Sequence, residues 1–136
     1  MTWLTSSCAA TLVLAALPAL AQTCVPVEVH NVRSEGMVMV AAYTRADDYD
    51  KNPLARMQLR PDGGTLSFPL CGLNGGAVAL TLFQDINDNG QLDRNLLGIP
   101  SEPWGASGQP SAFEAPKWQT TQVPVNGSTI VVKLSQ

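Results

Sequence analysis

Oxygen-bearing side chains stand at every second position from Asp85 to Asn89, and Gly90, Gln91 and Asp93 follow. That spacing suits a hard cation. With Asp85 as the first loop position, Asn87 is third, Asn89 fifth, Gly90 sixth, Gln91 seventh through its carbonyl and Asp93 ninth. This is the first part of an EF-hand-like calcium loop, including the Gly that permits its sharp turn. The twelfth position is Leu96 in place of a bidentate Glu, and no helical pattern flanks the run. Asp85 and Asp93 supply charge, and Glu102 could fold back as a third carboxylate. Calcium affinity at such a loop belongs to the weak extracellular range, about 10⁻⁴ to 10⁻³ M. The competing reading is an Asx-rich turn whose side chains cap their own backbone. The missing glutamate and the low charge favour that reading.

Other chemistry is thinly represented. Paired carboxylates can run glycoside hydrolysis, and Asp85, Asp93 and Glu102 fall in one region. However, no Gly-x-Ser-x-Gly motif is present, and the only histidine, His30, sits in a strand pattern without an evident partner. The chain is therefore read as non-catalytic, with a hydrolase as the alternative. Trp104 and Phe113 lie in a long weakly periodic segment, where aromatic rings can stack on a glycan or dock an envelope protein. The plainer reading is that these rings and Trp118 plug an open end of the fold.

Length and charge set the frame for these residues. The chain has 136 residues and a formal net charge of −3. One domain with one core is expected, and the acidic balance argues against a nucleic-acid partner. Residues 1–21 read as an export signal. Leu12–Leu17 forms its apolar centre, and Ala19-Leu20-Ala21 is a small-x-small cleavage site. Thr11 and Pro18 interrupt a run that is too short to span a bilayer, which takes about 20 apolar residues. The expected mature chain is thus residues 22–136, periplasmic or secreted, with no membrane span. Removal of Cys8 with the signal leaves Cys24 and Cys71, and an even count in an oxidising compartment suggests one disulfide.

The elements that must position the loop read as short strands. Val25, Val27 and Val29 alternate with polar neighbours, as a half-buried strand does. Met37–Tyr43 and Ala77–Phe83 are apolar on both parities and read as central strands. Residues 45–53 are a polar loop with room for one helical turn. Leu54–Arg60 alternates, as does Thr65–Leu70, where Pro69 marks an edge. Residues 85–117 read as one long loop that Leu96, Leu97, Ile99, Trp104 and Phe113 pin to the core. Asn126-Gly127 between Gln119–Val125 and Ser128–Leu134 predicts a β-hairpin. The fold class is all-β: a single antiparallel β-sandwich of about seven strands, immunoglobulin-like or transthyretin-like, with one long loop.

Four blocks also carry a resemblance. They are Val40-Ala41-Ala42-Tyr43, then Phe83-x-Asp85-x-Asn87-x-Asn89-Gly90-x-Leu92-Asp93, then Asn95–Pro100 running through Glu102-Pro103-Trp104-Gly105, and the closing Thr129–Leu134. In these the chain resembles the domain-of-unknown-function family 2141, found in exported bacterial proteins. The family usually has Tyr where Trp104 stands, and Ala106–Phe113 departs from its pattern. The resemblance implies the sandwich fold and export, and carries no activity. The function expected is binding or structural, in the cell envelope.

Overall fold

A computed structural model describes residues 23–135; the export signal expected at residues 1–21 lies outside them. The elements are β1 (Thr23–Val32), β2 (Met37–Tyr43), a 3₁₀ turn (Ala46–Asp48), β3 (Ala55–Leu59), β4 (Gly64–Leu73), β5 (Ala77–Asp85), β6 (Trp104–Ala106), α1 (Trp118–Thr121), β7 (Val123–Pro124) and β8 (Ile130–Lys133). One sheet has the order β4-β1-β8. The other runs β3-β2-β5-β6, with β7 added along β5. The two stack as a sandwich, and strand parity decides what lies between them. Val25, Val27 and Val29 of β1 face Val38, Val40 and Ala42 of β2 and Val78, Leu80 and Leu82 of β5 in one buried cluster. Each of these valines and leucines contributes about 1.5–3 kcal/mol on leaving water.

Cys24 and Cys71 are disulfide-bonded, joining the start of β1 to the end of β4. The bridge closes a separation of 47 residues, for which the loop-entropy model gives about 4 kcal/mol. β4 is an edge strand, as Pro69 implies.

The chain after Trp104 departs from expectation in three places. Residues 85–117 are not a single loop, because Trp104–Ala106 forms β6 against Thr81–Phe83. The strand expected from Gln119 opens instead inside a helical turn, α1, which begins at Trp118. There Lys117 O accepts the amides of Thr120 and Thr121 and the hydroxyls of both threonines. The hairpin across Asn126-Gly127 does not form. β7 pairs with Ala77 and Val78 in one sheet, while β8 pairs parallel with Val27–His30 in the other. The Asn126 side chain still caps the turn by accepting the Ser128 amide. A hairpin would have kept both strands in one sheet. Crossing over instead puts Ile130, Val132 and Leu134 into the core beside β1, a burial gain that outweighs a local turn preference.

Candidate functional site

The run from Asp85 to Glu102 is held by polar groups. Gln84 lies on the same parity as Val78, Leu80 and Leu82, so its amide enters the interior and must be bonded there. It accepts the Arg33 amide at 2.9 Å and donates to Arg33 O at 2.8 Å and Glu35 O at 2.7 Å. This ties the β1–β2 turn to the end of β5. The approach is so close that a Cβ on Gly36, where φ is +70°, would stand 2.1 Å from Asp85 O. Asp85 is 1% exposed. Its two carboxylate oxygens accept the amides of Asn89 at 3.1 Å and Gly90 at 2.6 Å. Glu102, also buried, takes the amides of Ile86 at 2.9 Å and Asp93 at 3.0 Å. Irregular backbone has no ladder to satisfy its donors, and buried carboxylates supply strong acceptors.

Of the five residues expected at a cation, Asp93 gathers two. The side-chain amides of Asn87 and Asn89 donate to its carboxylate. The Asn89 side-chain oxygen accepts the Gln91 amide at 3.0 Å. Asp85 turns both oxygens to backbone, and Glu102 does fold back, as a backbone acceptor. Among the described residues no three carboxylate, thiolate or imidazole groups assemble as a metal ion would need. A cation would have to compete with the amide–carboxylate bonds for Asp93. His30 has a partner that was not evident, Glu28 at 3.2 Å on the same strand face.

The apolar residues of this region do not anchor it. Leu96, Leu97 and Phe113 are 105%, 83% and 98% exposed, and Ile99 is more than half exposed. The expectation that they pin the loop to the core is overturned. Strand parity already fills the interior, so no space is left for them. The tip they occupy is organised by Asn95, whose side chain accepts the amides of Leu97 and Ile99.

Ile99 and Phe113 instead border a groove. Side chains at alternate positions of the five-stranded sheet point away from the core. Backbone register sets them in rows across β3, β2, β5 and β6: Gln58–Met39–Phe83–Trp104, then Arg56–Ala41–Thr81–Ala106. Bulky side chains fill the first row, while the second is small at Ala41 and Thr81. On the other side Tyr43 and Tyr49 rise, their ring centroids 5.0 Å apart. A small floor between large walls leaves a groove of about 950 Å³, lined also by Leu92, Ile99, Phe113 and Pro116. Such a volume suits a small-molecule ligand.

Trp104 is fixed by its backbone. Its amide donates to the Ser135 hydroxyl at 3.0 Å, and its carbonyl accepts the Ser135 amide at 2.7 Å. Gly105 makes this possible, since a Cβ there would meet Lys133 O at 2.6 Å. Trp104 and Phe113 thus border the groove and do not plug the end of the sandwich. Trp118 packs edge-on to Tyr49 at 6.3 Å. The Tyr49 hydroxyl is buried and makes no well-formed hydrogen bond among the described residues; burial raises its pKa above the ordinary tyrosine value, and the Thr121 side chain beside it opposes that shift.

Sequence reading missed the groove and Gln84. The signal for Gln84 was a polar residue on an apolar parity. The signal for the groove was Met37–Tyr43, whose second apolar parity needs a purpose of its own. Among the described residues no helix is long and apolar enough to cross a membrane. No curated protein and no solved structure matches the chain. The family model of an uncharacterized protein conserved in bacteria, DUF2141, matches residues 27–133, and with a match over most of its length the chain belongs to that family.

Proposed function

We propose that this protein is a non-catalytic binding module of the cell envelope that takes a small, largely apolar ligand in the groove on the outer face of its five-stranded sheet. The observation that carries the reading is the groove itself: a floor of Ala41 and Thr81 between Met39, Phe83 and Trp104 on one side and Tyr43 and Tyr49 on the other. Apolar side chains left half-exposed on a rigid sheet offer burial to a ligand at little ordering cost. The disulfide fits an oxidising compartment, in keeping with the export signal read at residues 1–21. The non-catalytic reading is supported by Asp85 and Glu102, whose oxygens are occupied by backbone amides and so are poorly placed for proton transfer to a substrate.

The test is uptake of the neutral, environment-sensitive dye phenylnaphthylamine by the oxidised chain. Its fluorescence should rise on binding, and Ala41→Leu, which fills the floor from the outer side, should abolish the rise while leaving the unfolding midpoint nearly unchanged. No uptake, or uptake indifferent to Ala41→Leu, would overturn the proposal.

A further inference from the structure

The charged side chains on the groove lining are Arg56, Arg94, Asp50 and Glu114. Glu114 is engaged by Lys117 at 2.8 Å. Arg94 donates to Gly98 O at 2.9 Å and serves the loop. Asp50, exposed on the turn after the 3₁₀ segment, makes no ion pair among the described residues and lies off the row of sheet residues that forms the floor. The Arg56 side chain likewise holds neither a hydrogen bond nor an ion pair among the described residues. Its place is set by register: it stands opposite Ala41, at the β3 end of the row of small residues that makes the groove floor. Ala41 opposite it supplies no counter-charge, and the Arg56 side chain stays exposed at the end of the row.

A ligand that fills this trough takes water away from Arg56. Covering an unpaired charge costs free energy unless the ligand brings a counter-charge. A guanidinium presents paired N–H donors in a fork that matches a carboxylate, and one guanidinium balances its single charge. Resting on the groove reading above, we infer that the ligand is an anionic amphiphile, a single-chain carboxylate. Its apolar body lies across Ala41 and Thr81 against Met39, Phe83 and Trp104, and its acid group meets Arg56.

The experiment uses the intact, oxidised protein at neutral pH and displacement of bound phenylnaphthylamine by dodecanoic acid, dodecanol and dodecyltrimethylammonium, each below its micelle concentration. The acid is expected to displace the dye at about tenfold lower concentration than the alcohol. Arg56→Gln, on an exposed side chain, should erase that difference and leave the alcohol unaffected. Arg94→Gln should retain it. Equal potency of acid and alcohol, or preference for the cation, overturns the inference and leaves the groove reading standing. An acid preference that survives Arg56→Gln and disappears with Arg94→Gln overturns the assignment to Arg56. A dye that binds and that none of the three displaces, or a dye that does not bind at all, overturns both readings.

Discussion

The two faces of the five-stranded sheet share their strands and differ in almost everything else. On the inner face Val38, Val40, Leu80 and Leu82 are sealed against the other sheet. On the outer face Met39, Ala41, Thr81 and Phe83, the intervening residues of the same two strands, stay partly open under a loop. The inner face is filled to exclusion. The outer face alternates a bulky row with a small one and leaves a hollow. Its cover is attached by carboxylate-to-amide bonds at Asp85 and Glu102, while the apolar side chains of that cover remain uncovered. One strand with two apolar parities thus serves stability with one and, in the proposed function, binding with the other.

The sharpest way to break that comparison is a matched pair of truncations. Leu80→Ala on the inner face should cost about 2–5 kcal/mol, since the closed core cannot collapse onto the cavity. Phe83→Ala, three residues on and on the outer face, should cost roughly 1–2 kcal/mol and should lower dye uptake far more than Leu80→Ala does. Denaturant unfolding and dye titration of both variants read this directly. Equal stability losses would mean that the outer face is also core. Next in size is Glu102→Ala, which strands the amides of Ile86 and Asp93 at a cost of about 1–3 kcal/mol. Hydrogen exchange should speed at those two amides and stay slow along β1 and β5; uniform acceleration would show that the cover and the core unfold together.

A smaller effect of opposite sign is expected at the groove wall. Tyr49→Phe removes a buried hydroxyl that makes no well-formed hydrogen bond among the described residues and should stabilise the fold by up to about 1 kcal/mol. Because burial raises the Tyr49 pKa, the stability held by its neutral form persists below the ordinary tyrosine pKa and is lost as pH rises through the raised value. The Phe variant should lack that alkaline loss, and a destabilised Phe variant would reveal a bonded hydroxyl. The smallest expected effect concerns the Asp85–Asp93 loop. Its carboxylates already accept N–H groups, so millimolar calcium should move Tm by less than about 1 °C. A rise of several degrees that vanishes in Asp93→Asn would place a cation in the loop and give the cover a second means of attachment.

Much of the sandwich was legible because it depends on period and punctuation. Val25, Val27 and Val29 alternate, Pro69 announces an edge, and two cysteines in an expected exported chain announce a bridge. The calcium-like spacing was also legible, but spacing shows only which oxygens are near in the chain. Which partner each oxygen takes, backbone amide, side-chain amide or cation, is a competition decided in three dimensions. The leucines of the loop were misread for the same reason, since their apolar character says that they prefer burial and not whether the core has room.

By itself the amino-acid sequence determined the strands up to Asp85, the closing strand, the disulfide pairing and the family. Those depend on local alternation, on composition and on a match running from residue 27 to 133. Only the tertiary structure decided that β7 and β8 part into different sheets, that Glu102 closes the loop begun at Asp85, and that Arg56 stands at the end of a small-residue floor. Each of these is a relation between strands, set by register and by competition for a core of finite volume. The second apolar parity of β2 was in the sequence throughout, and it became a groove wall only once β5 and β6 were laid beside it.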